Sequence, residues 1–113
     1  MKLITENEGK VFNPPLHAGV TSREIVGVDM PAQHVAFHMS TITPEGGGSE
    51  LDTHSISEQI FYVLSGQVKF LGRGTEVIAR TGQAVFIPAG EPHASINEGD
   101  VDAVCLVVTA PPL

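Results

Sequence analysis

Hydrophobic residues in this chain come in short runs, and most stretches alternate apolar with polar side chains instead of repeating every third or fourth position. A two-residue period marks strands with one buried face. It predicts strands over Arg23–Val28, His34–Thr43, Leu51–Ser55, Gln59–Leu64, Gln67–Leu71, Glu76–Arg80, Ala84–Ile87, Ala94–Ile96 and Val101–Thr109. Turn-forming clusters separate them: Pro44-Glu45-Gly46-Gly47-Gly48, Ser65-Gly66, Gly72-Arg73-Gly74, Thr81-Gly82, Pro88-Ala89-Gly90 and Asn97-Glu98-Gly99-Asp100. Many strands at regular spacing, with no amphipathic helix, predict an all-β sandwich or barrel. The first 20 residues, with Asn13-Pro14-Pro15, read as an arm or edge segment. Gly46-Gly47-Gly48 is followed by a predicted strand and by no Gly-Lys-Ser/Thr, so it reads as a flexible turn and not a phosphate loop.

A length of 113 residues fits one domain, 1–113, and 42% hydrophobic residues suffice for a core. Twelve glycines and eight prolines agree with short strands and tight turns. The formal net charge of −7 would repel a phosphate backbone, which argues against nucleic acid as a partner. A single cysteine, Cys105, excludes an internal disulfide and a cysteine-based zinc site. Its apolar setting, Val104 to Val108, predicts a buried structural thiol. No run is long enough to span a bilayer as a helix and no signal-peptide pattern opens the chain, so the expected address is cytoplasmic, without a membrane partner.

Two segments carry more specific information. In the second, Gly82 is followed after five residues by Pro88, then Gly90, His93 and Asn97, at the spacing G-x5-P-x-G-x2-H-x3-N. In the first, Gly46 is followed after five residues by Asp52-Thr53-His54, after four more by Gln59, and after six more by Gly66. These stretches, about 46–66 and 82–97, resemble the two motifs of the cupin superfamily. The second is filled at every fixed position. The first keeps its spacing, G-x5-H-x-H-x3,4-E-x6-G, with Asp52 where that family has its first His and Gln59 where it has Glu. Phe61 to Gly66 is also similar to a typical cupin strand and turn. The resemblance implies a double-stranded β-helix, or jelly-roll barrel, with its site inside. It does not imply one activity, because cupins include dioxygenases, isomerases, decarboxylases, lyases, epimerases, storage proteins and sensor domains.

Within that frame, Asp52 and His54 share a strand face, their Cα atoms separated by about 6.6 Å. Gln59 on the neighbouring strand and His93 from the second motif complete a set of two imidazoles, a carboxylate and an amide oxygen. Such nitrogen and oxygen donors suit one divalent ion, Fe, Mn, Ni or Zn. Asp52 restores the negative charge that Gln59 lacks relative to Glu. The metal-free alternative has the same polar groups binding a sugar or hydrogen-bonding to one another. Phe61 and Val63 share the Gln59 face and are expected to line the pocket, whereas Glu58 and Tyr62 point outward. His34 and His38 read as surface or interface residues on a strand whose core face is Val35, Phe37 and Met39. His17 reads as a solvated loop residue. Thr53 and Ser55 flank His54 but point away from it, so no Ser-His-Asp arrangement is expected.

The expected function is action on a small oxygenated or enol-type molecule, sugar acids included, by a metal-dependent dioxygenase, lyase or isomerase. The other readings are a non-catalytic small-molecule-binding or sensor module and a metal-free isomerase or epimerase. A small barrel with open sheet edges and an apolar arm (Leu3, Ile4, Val11, Phe12), best satisfied by lying along its own sheet or a partner's, is expected to form a homodimer whose interface uses that arm and one sheet, with Tyr62 a candidate contact.

Overall fold

The computed structural model describes residues 1–27, 29–30 and 32–113. Among the described residues, eleven strands follow a helical turn at Glu6–Glu8. They are β1 (Val11–Phe12), β2 (His17–Ala18), β3 (Val20–Val26), β4 (Ala36–Ile42), β5 (Gly47–Ser49), β6 (Glu58–Ser65), β7 (Gln67–Leu71), β8 (Glu76–Arg80), β9 (Ala84–Ile87), β10 (Ala94–Asn97) and β11 (Ala103–Ala110). They form two antiparallel sheets, one of six strands in the order β1-β3-β4-β11-β6-β9 and one of five in the order β2-β5-β10-β7-β8. This is the expected all-β jelly roll. Among the described residues no helix is long and apolar enough to cross a membrane.

The sheets face each other across a core that includes Val20, Ile42, Val63, Val68, Phe70, Ala79, Ile87, Cys105 and Val107. β11 shows how the pattern works: Ala103, Cys105, Val107 and Thr109 point inward and are buried, and the residues between them are half-exposed. Asn97, the last fixed position of the second motif, is fully buried yet satisfied. Its amide nitrogen donates to the carbonyls of Ile42 and Val101, each at 2.9 Å, and its oxygen accepts from Gly99 N at 2.9 Å. One side chain thus joins the two sheets and closes the turn before β11.

β7, β8 and β9 occupy the predicted spans, but four expectations need correction. Gly47–Ser49 is a strand, pairing with both β2 and β10. Those neighbours come so close that a Cβ on Gly48 would collide with the carbonyl oxygen of Ser95. Gly48 is there because β5 is squeezed against β10, whereas Gly46, at φ 95°, serves the turn that precedes the strand. Leu51–Ser55 is not a strand. It makes one isolated bridge, Asp52 to His93, and the Asp52 carboxylate accepts from Thr53 N at 2.8 Å, occupying a donor that a ladder would need.

The interior face of β4 is also the reverse of that expected. His38, Ser40 and Ile42 turn inward, while Phe37 and Met39 face outward against Val108 and Leu106 of β11. His34 precedes the strand and is exposed. The N-terminal arm lies along a sheet of its own chain, one of the two placements expected for it. β1 pairs with β3, Lys10 O accepts from Glu24 N at 2.9 Å, and Arg23 donates to Gly9 O at 2.9 Å. The predicted strand Arg23–Val28 begins earlier, at Val20, and Val28 lies outside the described residues.

Candidate functional site

The site is assembled where the two motif segments meet. After β9 the chain turns through Pro88-Ala89-Gly90, with Gly90 at φ 81°, a left-handed conformation that glycine adopts without strain. Gly90 N donates to His54 O at 2.8 Å, fixing one segment to the other. Three residues later His93 lies opposite Asp52, and each backbone N–H donates to the other's carbonyl at 2.9 Å. Directly opposed residues of an antiparallel pair send their side chains to the same face. His54, two residues from Asp52, joins them. The His54 and His93 rings stand 5.2 Å apart between centroids, tilted by 60°. The nearer Asp52 oxygen is 3.9 Å from His54 Nε2.

Gln59 enters from the six-stranded sheet. It is buried on β6 opposite Thr109 of β11, whose hydroxyl accepts from the Gln59 amide at 3.1 Å. The Gln59 oxygen is 3.1 Å from His93 Nε2, and His93 Nδ1 is 2.9 Å from Glu91 O. Both ring nitrogens of His93 therefore face oxygen acceptors. If Nδ1 carries the proton and donates to Glu91 O, the Nε2 lone pair and the Gln59 oxygen confront each other, an arrangement relieved by a cation. The donor set fits a divalent ion in kind. As they stand, no three His, Cys, Asp or Glu side chains among the described residues are grouped closely enough to enclose one. One Asp52 oxygen is engaged by its own neighbour's N–H, which leaves the other to face the imidazoles.

His54 has its pKa lowered, first by burial and then, against the opposing pull of Asp52, by His93 and His17. It is held as a neutral imidazole, the form that ligates metals or takes up a proton.

These four residues occupy part of the wall of a cavity of about 340 Å³ between the sheets. Phe61 lines it, edge-on to Phe70 at 5.1 Å. Val63, expected beside it, is wholly buried in the core and is not part of the wall. Glu58 and Tyr62 are exposed, as the alternation of β6 predicts. Cys105 contributes to the wall as a neutral thiol, its pKa pushed up to about 11 by burial.

The sequence reading missed several polar wall residues, among them His38, Glu24 and His17. Glu24 and His38 are cross-strand partners on β3 and β4. Burial, with a smaller contribution from His17, lowers the His38 pKa to about 4. Phe12 of the arm packs edge-on against the His38 ring at 5.7 Å. His17 begins β2 at the mouth, exposed, its Nδ1 2.7 Å from Pro15 O. The available signal was the inward partner row Ser22–Ser40, next to Glu24–His38, which appears only once β3 is paired with β4.

Known proteins share this fold. A family model described as the cupin domain matches residues 38–109. An uncharacterized protein of Methanocaldococcus jannaschii is 31% identical over 112 residues, 99% of this chain and 90% of that one. An oxalate-binding protein of Thermotoga maritima is 32% identical over 65 residues, 58% of this chain and 54% of its own length. Among solved structures, the polyketide cyclase RemF from Streptomyces resistomycificus superposes with a TM-score of 0.84 at 24% identity, covering 99% of this chain and 80% of that one.

Proposed function

The chain belongs to the cupin family, and from that premise we propose that residues 1–113 act as one domain holding one divalent metal ion in the barrel and acting on a small oxygenated, enol-type organic molecule. The ligands are His54, His93, Asp52 and Gln59, in falling order of importance. The observation that carries this reading is the pair of acceptors around His93, with Glu91 O at Nδ1 and the Gln59 oxygen at Nε2. Zn, Fe, Mn and Ni all suit such nitrogen and oxygen donors. A bound ion would polarise a carbonyl or enol oxygen of the substrate. The chain's own contribution is to orient the imidazoles from the backbone, keep His54 neutral, and exclude water with walls such as Phe61 and Val107.

The test is elemental analysis of protein purified without an affinity tag, after dialysis against a metal-free buffer. Near-stoichiometric metal that disappears in His93→Ala supports the proposal. A metal-free wild type that takes up none of the four ions overturns it.

A second reading has a specific basis. Turning the Gln59 amide over would let it donate to His93 Nε2 and accept from the Thr109 hydroxyl, satisfying the cluster without an ion. The barrel would then serve as a binding module or as a metal-free isomerase with neutral His54 as base.

We also propose a homodimer. The outer face of the six-stranded sheet carries an unbroken apolar row, Phe37, Val108, Ile60 and Phe86, each opposite the next across β4, β11, β6 and β9. The parallel row Met39, Leu106 and Tyr62 lies beside it. Ile60, Tyr62, Leu64 and Phe86 are all exposed. With the arm already paired to its own β3, this face is the better contact for a second copy.

A further inference from the structure

The cavity contains no fixed positive charge. Of the six lysines and arginines in the chain, none is part of its wall. Lys69 is on β7 with Glu76 at 2.7 Å and Glu98 at 3.3 Å, and Arg23 is engaged by the carbonyls of Gly9 and Asn7. Lys2, Lys10, Arg73 and Arg80 are exposed elsewhere. Three carboxylates, Glu24, Glu50 and Asp52, do contribute to the wall. Much of the rest is hydrocarbon: Phe12, Val20, Ile42, Phe61, Val107 and Leu113.

A ligand carboxylate brought into this space loses its hydration and meets like charge, with at most the metal to offset it. A sugar's ring of hydroxyls would face apolar walls that cannot replace its water. Away from the ion's proposed ligands the wall also carries polar groups, among them Glu24, His17 and His38, and the half-buried imidazole among them is that of His38. His38 has no hydrogen-bond partner among the described residues, and its ring borders the cavity. It lies across β11 from Phe61, through the register His38–Val107–Phe61. Two strand spacings and two residues along β6 separate it from Gln59, roughly 10–12 Å between backbones.

We propose that this cavity binds an uncharged, largely apolar molecule oxygenated at both ends, one oxygen at the His54–His93 end and the other hydrogen-bonded by His38. This narrows the proposed function to a substrate class, and it rests on the reading that the His54–His93 end receives the reacting oxygen. Burial keeps His38 neutral, so it offers one N–H donor and one lone pair to a hydroxyl or carbonyl. Sugar acids and dicarboxylates fall outside the class.

Three probes on one scaffold test it: 2-acetylnaphthalene, its 6-hydroxy derivative and its 6-carboxylate. Binding is measured by calorimetry at pH 7, on EDTA-treated protein and again after metal loading, with metal content determined separately. In both forms the hydroxy compound is expected to bind about fivefold tighter than the parent, and the carboxylate at least tenfold weaker than the hydroxy compound. In His38→Phe the ratio of the hydroxy compound's affinity to the parent's should fall to about one. If Phe disturbs folding, His38→Met gives the same readout. Equal or tighter binding of the carboxylate, a hydroxyl advantage that survives loss of His38, or no binding by any probe would each overturn the inference. Because the EDTA-treated arm does not depend on the ion, failure of the metal reading shows in the metal content alone.

Discussion

Asp52 and His93 are joined by a reciprocal pair of backbone hydrogen bonds, both 2.9 Å, although neither belongs to a regular strand. The bridge brings a position of the first motif against the histidine of the second. It also determines that both side chains enter the same cavity.

If these side chains hold an ion, His93→Ala and His54→Ala should each abolish tight metal binding, because each loses a donor and leaves the others misaligned. Asp52→Asn and Gln59→Ala should weaken it less, and exposed Glu58→Ala should leave it unchanged. Elemental analysis after dialysis checks the series. Full occupancy in the double His variant would show that the metal lies elsewhere.

Asn97→Ala should lower stability by about 2 kcal/mol, since it strands one buried and two part-buried backbone groups and removes volume from a packed site. A urea titration measures this as a lower midpoint with an unchanged slope. A change below about 1 kcal/mol would contradict the joining role assigned to this side chain.

Gly48→Ala should destabilise the barrel by about 2 kcal/mol or more, because the new methyl meets Ser95 O on the paired strand. Gly72→Ala is the control: its φ lies outside the left-handed region and the new methyl would meet nothing closer than 3.4 Å. Comparing the two melting temperatures separates a crowded strand from a flexible turn. Equal melting temperatures would favour the turn.

His38 makes stability depend on pH. Its folded pKa, about 4, lies below the unfolded value of 6.5. Above pH 6.5 both states carry a neutral ring and nothing is lost. Between pH 6.5 and 4 the unfolded chain takes up a proton that the folded one refuses, so stability falls as pH falls, and below about 4 this loss levels off. The loss is on the order of 2 kcal/mol after allowing for water at the cavity wall. Denaturation of the wild type and His38→Asn at pH 7.5, 5.5 and 4 should show the variant losing less stability over that interval. Parallel curves would refute the assignment.

Phe86→Asp and Tyr62→Asp should each convert a dimer into a monomer by placing charge on the apolar outer face. Light scattering at micromolar concentration reads the mass directly. A monomeric wild type, or variants that remain dimers, would remove this face from the proposal.

Much of the architecture was present in the order of residues. Strands β7, β8 and β9 are bounded by turn residues on both sides, so period and punctuation agree, and the predicted limits match the structure. The spacing of the second motif was enough to identify the corner that delivers His93. The resemblance also singled out His54 and Gln59, which the fold brings beside it.

Tertiary structure decided what alternation cannot express. A period of two separates the faces of β4 but does not say which is inside. With Phe37 and Met39 on one face and His38 and Ser40 on the other, hydrophobicity pointed the wrong way. A barrel that encloses a cavity turns polar groups inward, and one with an apolar outer sheet turns hydrocarbon outward. β5 was hidden for a different reason: glycine has no side chain to alternate, so its pairing is legible only from how closely β2 and β10 approach. His17 and Glu24 come to the cavity wall along with His38 because the arm folds back and β3 pairs with β4. Those contacts join residues far apart in the chain, and local patterns of side chains carry no record of them.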